Sequence, residues 1–422
     1  MTHGSRRSLI VVPAGATGLE VGGGHRTALF ERALEGFGPV DVVTLSARAA
    51  PWSRPGGEGA GRRASIPTSL MPPRSRSRVR QGMRDLGKLL DVGRTIRPDP
   101  DSCAALRKLL DGTRYDLAVF RFFASYVAVA EVFDDPGLSD TALALDLDDR
   151  DDQKYEAAIR SRLGANPLAS LLARRMASRI GAMFRARLPR LDQVYLVSDR
   201  DRIEGIPVEQ VLVPNVAHLP AAAASVPPPA EGRHLLFVGG AGHSPNVEGM
   251  RWFLRDVWPR LRKARPAAEV TLVGTGDWRG ALGALASAPG LMLRGRVEDL
   301  AAEYARTRAV IVPTRSGGGS KIKLVEAAGY GRPVICTTHA MRGFEDTLGR
   351  AIVPADTAGD FARASLGYLS DPAAADADGR RNRDVHDRSL SADGMARRLR
   401  ESVATLLEGR PDGRRAKAEA LA

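Results

Sequence analysis

The sequence has few cysteines, few aromatic residues and no long apolar run. Of its 422 residues two are cysteine and 5% are aromatic. Cys103 and Cys336 lie far apart, in or beside apolar segments, which favours buried, reduced thiols over a disulfide framework or a metal site. No apolar stretch approaches the length that spans a membrane, and the run at residues 9–12, after Arg6 and Arg7, is too short for a signal peptide. We therefore expect a cytoplasmic protein whose membrane contact, if any, is peripheral.

Positive charge is present in excess. Lysine and arginine number 62 against 49 acidic residues, which gives a net charge of +13. Such a charge attracts nucleic acid, anionic lipid headgroups or phosphorylated substrates. The sequence contains no zinc-finger pattern, basic zipper or aromatic RNA-stacking motif, so we expect no nucleic-acid partner.

The length and the order of the apolar segments predict two domains. A chain of 422 residues is too long for one core. Short apolar strand patterns alternate with helical patterns, which is typical of a doubly wound parallel α/β sheet. Residues 217–232 are rich in proline and alanine, and the strand pattern restarts after them, so we interpret them as a linker. Residues 1–216 and 233–390 form the two predicted domains. A helix at 391–410 is expected to pack across the domain junction, and 411–422 to be a flexible tail.

A glycine-rich loop follows an apolar strand predicted at residues 310–312. Consecutive glycines let backbone N–H groups approach an anion closely, and the helix that begins after them points its positive end at the same place. Ligands bind at the carboxyl ends of parallel strands, so this loop is a candidate diphosphate cradle. An ordinary glycine-closed turn is the alternative. The residues of the predicted cradle are Gly317, Gly318, Gly319, Ser320, Lys321 and Lys323.

Glu326 lies one to two helical turns beyond this predicted anion site. A carboxylate there is badly placed for a phosphate, but it can accept hydrogen bonds from the hydroxyl groups of a ribose. A phosphate site at the start of a helix and a sugar site further along it indicate a nucleotide.

This region resembles the C-terminal half of GT-B glycosyltransferases, in particular the family 4-like enzymes of glycosyltransferase group 1. The shared pattern is Pro313, the glycine-rich loop, Lys323, and a Glu-Ala-rich segment from Glu326 to Pro333 and Val334. The resemblance implies an α/β fold of two Rossmann-like, doubly wound parallel-sheet domains that face a central cleft. It also implies retaining transfer of a sugar from a nucleotide-diphosphate sugar to a hydroxyl acceptor, without a cofactor or a metal.

One position departs from the family pattern. Most members carry a second glutamate eight positions before the one matched by Glu326, and that position is Gly318 here. Because a subset of such transferases shows the same glycine-rich replacement, we still expect an enzyme, while the details of catalysis stay open. We assign Glu326, Lys323 and Asp148 as catalytic residues.

Two further segments resemble donor-binding parts of the family. The segment after the strand at 235–238 is similar to the start of the family's C-terminal domain, which makes Gly239, Gly240 and Asn246 expected donor contacts. Gly295, Arg296 and Val297 match the turn whose backbone reads the base, although a glycine that simply closes a strand is the alternative.

The acceptor side is expected in the N-terminal domain. Gly23 and Gly24 follow the first strand, where they would let a substrate approach or would only form a flexible turn. Arg26 on the next helical turn can meet a phosphate, but we interpret it rather as a solvated surface charge. Asp146 and Asp148 follow a strand at 141–145 and are assigned acceptor or structural roles. Clustered carboxylates also suit Mg²⁺, yet we expect no metal.

A basic segment at 51–82, rich in Pro, Gly and Ser, is expected to be a mobile loop or a partly ordered insertion. It would hold an anionic acceptor, lie against the inner membrane leaflet, or be only a solvated insertion. The expected partners are a nucleotide-diphosphate sugar, a glycan, lipid-linked or small-molecule acceptor, and an anionic membrane. We place the protein in glycan, polysaccharide or glycolipid biosynthesis. A nucleotide-sugar epimerase of the same fold and a non-catalytic binding protein are the alternatives.

Overall fold

A computed structural model describes most of the chain and divides it into two compact units. The first unit contains the residues up to Val213 together with those from Ala396 onward, and the second contains Pro214–Met395. The described residues are 6–18, 22–53, 61–69, 87, 91, 93, 96–148, 150–163, 167–220, 223, 225–229, 232–317 and 321–409.

The first unit is built on an eight-stranded sheet with the order β3-β4-β2-β1-β5-β6-β7-β8. Every neighbouring pair is parallel except β3 and β4. The central strand carries four consecutive apolar residues, 9–12, that are fully buried, as expected where helices cover both faces of a parallel sheet. The strands are β1 Ser8–Pro13, β2 Val40–Ser46, β3 Ala50–Ser53, β4 Arg63–Pro67, β5 Leu117–Arg121, β6 Ala142–Leu147, β7 Gln193–Leu196 and β8 Glu209–Leu212.

Among the described residues, five helices with defined bounds lie between these strands. The longest of them buries one apolar stripe, Ala169, Ala173, Met176, Ile180 and Phe184, with the spacing of an amphipathic helix. The helices are α1 Gly22–Leu34, α2 Pro100–Leu110, α3 Phe123–Val129, α4 Asp151–Leu163 and α5 Pro167–Arg187.

The second unit is a five-stranded, fully parallel sheet with the order β11-β10-β9-β12-β13. Its strands are β9 His234–Val238, β10 Glu269–Val273, β11 Leu291–Gly295, β12 Ala309–Val312 and β13 Val334–Cys336. Its helices are α6 Ser244–Trp252, α7 Trp258–Ala264, α8 Trp278–Leu282, α9 Leu300–Ala305, α10 Ile322–Gly329, α11 Ala358–Ser370 and α12 Pro372–Val385, and a π-helical turn, Phe253–Val257, joins α6 to α7.

The last helix, α13 Ala392–Glu408, returns the chain to the first unit. Arg400 Nε donates a hydrogen bond of 3.1 Å to the carbonyl oxygen of Ala33, and Ser402 Oγ donates one of 3.3 Å to Gln193 Oε1. These contacts attach α13 to α1 and β7.

Three segments differ from the sequence-based expectations. The apolar residues 351–353 predict a last short strand, and this prediction is wrong. They form no strand in the described chain, because the N–H groups of Ala351 and Ile352 both donate to the carbonyl oxygen of Leu348 in a turn. Within the basic segment 51–82, residues 51–53 and 63–67 lie in the strands β3 and β4, while 54–60 and 70–82 lie outside the described residues. Helix α12 was not predicted, because its apolar residues are alanines, one proline and one valine, which form no stripe of large apolar side chains. It is capped by Asp371, whose side chain accepts a hydrogen bond from the N–H of Ala374.

Candidate functional site

The carboxyl edge of the five-stranded sheet is closed by glycines packed backbone to backbone. The N–H of Gly239, after β9, donates to the carbonyl oxygen of Val273 (2.8 Å), and the N–H of Gly274, after β10, donates to that of Gly295 (2.8 Å). A Cβ atom on Gly274 would lie 2.0 Å from the carbonyl oxygen of Gly239. Only glycine fits at this position, so the close approach leaves the edge free of side chains.

Asn246 and Lys323 meet at this edge. Asn246 lies in the first turn of α6, and its Nδ2 donates a hydrogen bond of 3.0 Å to the carbonyl oxygen of Gly240. Its Oδ1 accepts a hydrogen bond of 2.7 Å from Lys323 Nζ, on the first turn of α10. The ammonium group lies 4.4 Å from the centroid of the Phe237 ring. A Cβ atom on Gly239 would lie 2.7 Å from Asn246 Nδ2 and 3.0 Å from Lys323 Nζ. The structure therefore brings Gly239, Gly240, Asn246 and Lys323 together.

The surroundings of Lys323 lower the pKa of its ammonium group. Desolvation and the nearby positive charge of Lys321 together lower the pKa of Lys323 to about 7, against the opposing effect of Glu326. The side chain is partly exposed, whereas Lys321 is buried at the N-cap of α10. An anion bound beside Lys323 would favour its charged form, so the site is suited to a ligand that carries negative charge.

Glu326 accepts a hydrogen bond from a tyrosine, Tyr304, which no sequence motif indicated. The hydroxyl of Tyr304, on α9, donates a hydrogen bond of 2.8 Å to Glu326 Oε1. Tyr304 is fully buried and stacks on Tyr330, with ring centroids 4.0 Å apart. Burial raises the pKa of Glu326, while the hydrogen bond from Tyr304 and the charge of Lys323 lower it. The carboxylate is partly exposed, and its Oε2 accepts no hydrogen bond from the described residues, so this oxygen is available to a ligand.

The glycine-rich loop is only partly described. Gly318, Gly319 and Ser320 lie outside the described residues, so their role as an anion cradle stays a prediction. Gly317 has a φ of +90°, and its carbonyl oxygen lies 2.9 Å from Nε2 of His339, which follows β13. Burial lowers the pKa of His339, and a carbonyl oxygen can only accept, so the neutral ring donates its Nε2 proton. No motif in the sequence pointed to His339.

Three other expected donor contacts, Gly295, Arg296 and Val297, lie in the same unit. Gly295 ends β11 with a φ of +66°, and Arg296 after it is exposed. Val297 is partly exposed and packs against the core that contains Tyr304. The backbone of Gly295 reaches Gly274 and thereby the glycine edge, but a contact of this turn with a base stays a prediction.

Arg26 and Asp146, both assigned to the acceptor side, form a buried ion pair in the first unit. Arg26 Nε lies 2.8 Å from Asp146 Oδ1, and Arg26 Nη1 donates a hydrogen bond of 2.6 Å to the carbonyl oxygen of Val213. Both side chains have an exposed fraction of 0%. The interpretation of Arg26 as a solvated surface charge is therefore wrong. The burial of Asp146 is consistent with its structural role and not with binding an acceptor hydroxyl, because a carboxylate without solvent access must be paired with a cation.

Arg121, which sequence reasoning missed, connects this pair to Asp148. Its Nε lies 2.6 Å from Asp146 Oδ2, and its Nη2 donates a hydrogen bond of 3.2 Å to Asp148 Oδ2. Its Nη1 donates to the carbonyl oxygen of Gly23 (3.0 Å). Asp148 keeps 13% of its side chain exposed. The only available signal was a basic residue at the end of an apolar strand, and a catalytic role for Asp148 stays a prediction.

Two residues near these arginines have unusual backbone surroundings: Gly24 lies against another backbone segment, and Phe122 has a positive φ. A Cβ atom on Gly24 would lie 1.7 Å from the carbonyl oxygen of Gly18, so this glycine is needed for packing. Phe122, directly after β5, has a φ of +70° and is the only non-glycine residue of the described chain with a positive φ. The Arg121 guanidinium lies 5.1 Å from the centroid of its ring.

A family comparison covers most of the second unit. Residues 232–371 match the family described as "Glycosyl transferases group 1". This part of the chain is therefore similar to a group 1 glycosyltransferase domain. The matched residues include the Asn246–Lys323 contact, Glu326 and Tyr304. No curated protein is similar to this chain at a significant level of sequence similarity.

Solved structures share the fold of this chain over almost its whole length. Sucrose-phosphate synthase from Thermosynechococcus elongatus superimposes with a TM-score of 0.66 at 16% identity, over 96% of this chain and 100% of that one. The α,α-trehalose 6-phosphate synthase from Burkholderia multivorans gives 0.62 at 14% identity, over 97% and 100%. Anabaena HepE, in complex with UDP, gives 0.56 at 12% identity, over 94% and 100%. The predicted GT-B fold with two Rossmann-like parallel-sheet domains is confirmed.

Two further observations concern metals and membranes. Within the described ranges, no group of three or more His, Cys, Asp or Glu side chains is arranged to hold a metal ion. Of the helices described above, none combines the length and the apolar character that crossing a membrane requires.

Proposed function

We propose that this protein is a glycosyltransferase that moves a sugar from a nucleotide-diphosphate sugar to a hydroxyl acceptor with retention of the anomeric configuration. The supporting observation is the arrangement of Lys323 and Glu326 on α10. A spacing of three residues places both side chains on one side of the helix. Asn246 positions the lysine beside the glycine edge, and Tyr304 positions the carboxylate, so one face can bind a diphosphate and a ribose together.

The charges of this site fit the reaction. During transfer, the bond between the anomeric carbon and the β-phosphate oxygen breaks, the acceptor oxygen forms a bond to that carbon, and the acceptor hydroxyl passes its proton to the departing phosphate oxygen. The departing diphosphate gains negative charge, which protonated Lys323 and the backbone amides of the loop at 317–320 would stabilise. A lysine whose pKa lies at about 7 when no ligand is bound takes up a proton as this charge develops.

The acceptor belongs to the first unit in this proposal. Asp148 is the partly exposed carboxylate at the carboxyl end of β6, and it accepts a hydrogen bond of 3.2 Å from Arg121 Nη2. An ionised carboxylate can accept a hydrogen bond from an acceptor hydroxyl. The acceptor classes that we propose are a glycan, a lipid-linked sugar and a small molecule, in glycan, polysaccharide or glycolipid biosynthesis. The reaction as proposed uses no metal ion.

Nucleotide binding and turnover test this proposal. Titration calorimetry with UDP, GDP and dTDP would identify the base, and the matching radiolabelled nucleotide sugars would then be incubated with and without a bacterial lipid extract. Label on a lipid or glycan product supports transfer. An isomerised donor indicates an epimerase, and binding without conversion indicates a non-catalytic protein. If none of the three nucleotides binds, the proposed donor site is wrong.

A further inference from the structure

Helix α5 of the first unit exposes two leucines at its start. Leu168 is 75% exposed and Leu171 is 60% exposed. They belong to a set of four exposed large apolar side chains in the described chain, and the other two, Leu212 and Val353, lie on separate elements. Two exposed leucines three residues apart form one apolar patch, which costs free energy in water unless another surface covers it.

Arginines continue the same face of the helix. At 100° per residue, the exposed positions from 168 to 186 lie on one side of the helix and the buried stripe lies on the other. Helix α5 contains no acidic residue. None of the exposed arginines forms an ion pair within the described part of the chain. The basic residues of this exposed face are Arg174, Arg175, Arg179 and Arg185.

We propose that this leucine–arginine face of α5 binds the surface of an anionic lipid bilayer. The leucines would enter the headgroup region, and the arginines, with long apolar stems, would reach the lipid phosphates. The net charge of +13 attracts the whole protein to such a surface. The proposal is independent of the donor site. The sequence-based expectation of membrane contact was assigned to the segment 51–82, whereas the structure points to α5.

The chemistry of the face favours a bilayer over an acidic protein or a nucleic acid. Protein surfaces that bind single-stranded nucleic acid stack its bases on aromatic side chains, whereas the apolar side chains of this face are aliphatic. A protein interface is depleted in charged residues at its core, whereas here the charges continue directly from the apolar patch. An aliphatic end followed by arginines without acidic neighbours matches the boundary between acyl chains and phosphates.

Vesicle sedimentation with the full-length protein tests the proposal. Binding would be compared for vesicles of phosphatidylcholine alone and vesicles with equimolar phosphatidylglycerol. We expect binding to the anionic vesicles only, with a decrease of about tenfold in Leu168→Ser and in Leu171→Ser, since each loses most of the burial free energy of a leucine. Arg179→Glu should reduce binding by about tenfold or more, because it also introduces repulsion.

Matched controls separate this face from general charge and general apolarity. Val353→Ser removes an aliphatic side chain that is 88% exposed in the other unit, and Arg279→Glu makes the same charge change on α8, also in the other unit. Both controls should bind anionic vesicles as the unmodified protein does. Circular dichroism and the melting temperature should be unchanged in all variants, because the substituted positions are exposed.

Three results would overturn the proposal. Equal binding to neutral and anionic vesicles would show that the arginines do not recognise lipid phosphates. An equal loss of vesicle binding in the α5 variants and in their controls would show that α5 is not the binding face. Retention on immobilised polyglutamate without vesicle binding would assign the face to an acidic protein.

Discussion

Tyr304 donates a hydrogen bond of 2.8 Å to Glu326 Oε1 from a neighbouring helix. In the variant Tyr304→Phe the ring can still stack on Tyr330, but the donor is lost. A carboxylate oxygen is then left without its partner, which costs about 1 kcal/mol or more. We expect the affinity for the cognate nucleoside diphosphate to fall roughly three- to tenfold, measured by titration calorimetry.

The pH dependence of this variant distinguishes a positioning role from simple damage. Burial raises the pKa of Glu326 and the hydrogen bond from Tyr304 lowers it, so loss of the hydroxyl raises the pKa further. Because a ribose hydroxyl donates to the ionised carboxylate, affinity falls as the pH falls through this pKa. In Tyr304→Phe that decrease should begin at a higher pH than in the unmodified protein. A loss that is the same at every pH would contradict the role.

Glu326→Ala should weaken donor binding without unfolding the protein. The carboxylate is partly exposed and lies near the end of α10, so its removal leaves the core intact, while the hydrogen bonds to a ribose are lost. We expect a decrease in affinity of about tenfold or more, equivalent to about 1.4 kcal/mol. The melting temperature should fall by only about 2–4 °C, because the buried Tyr304 hydroxyl loses its acceptor at a cost of about 1 kcal/mol. Glu204→Ala, an exposed carboxylate in the other unit, is the control. Unchanged affinity in Glu326→Ala would count heavily against the assigned role.

Lys323 should make nucleotide binding depend on pH near neutrality. Because its pKa is lowered to about 7, the free protein loses this positive charge as the pH rises through 7. Affinity for the diphosphate should decrease above that pH, by up to about tenfold per pH unit, and Lys323→Met should remove this part of the slope. The nucleotide itself also titrates, but its contribution is the same for the unmodified protein and for Lys323→Met, so it cancels when their affinities are compared at each pH. Proton uptake on binding, measured by calorimetry in buffers of different ionisation enthalpy, should be smaller in the variant.

The glycine after β9 should be needed for the position of Lys323. In Gly239→Ala the new Cβ atom would lie 2.7 Å from Asn246 Nδ2, so Asn246 must move and its bond to Lys323 is disturbed. We expect nucleotide affinity to fall by about tenfold and stability by about 1 kcal/mol. Gly242→Ala is a control in the same loop, because its Cβ atom would meet nothing within 4 Å. Equal effects of the two substitutions would contradict a specific role of Gly239 in positioning Lys323, because alanine would then disturb the loop at either position.

Phe122 offers a test of backbone strain. At a φ of +70° a residue with a Cβ atom is disfavoured by about 1–2 kcal/mol relative to glycine. Phe122→Gly should therefore be more stable than Phe122→Ala by about 1 kcal/mol in chemical denaturation. At Phe133, which has an ordinary negative φ, the alanine variant should be at least as stable as the glycine variant. The same order at both positions would contradict strain at Phe122.

Most of the architecture could be predicted from the sequence, because parallel strands that are buried on both faces produce short apolar runs bounded by glycine. Strands β1, β10 and β13 follow this rule. The segment 51–53, which pairs with β4, has no such run, since it is an exposed edge strand and tolerates polar residues and proline. Helix α12 gave no signal because it lacks an apolar stripe.

The site was predictable where neighbouring residues form a motif and was missed where the fold joins distant ones. Gly239, Asn246, Lys323 and Glu326 were identified from local patterns. The partner of Arg26 is Asp146, 120 positions away, and no local pattern shows that a charge on the first turn of a helix will be neutralised inside the protein. Tyr304, 22 positions before Glu326, belongs to an unremarkable helix whose role depends on the packing of α9 against α10.

The attachment of α13 to the first unit makes that unit discontinuous along the chain. During synthesis on the ribosome, residues 214–395 emerge as one uninterrupted stretch, whereas helix α1 of the first unit lacks the hydrogen bond from Arg400 Nε to the carbonyl oxygen of Ala33 until α13 has been made. The N-terminal unit is therefore completed only when the C-terminal helix has been made. A premature stop codon shortly before Ala396 would destabilise this first unit more than the second unit, although the second unit is encoded next to the stop.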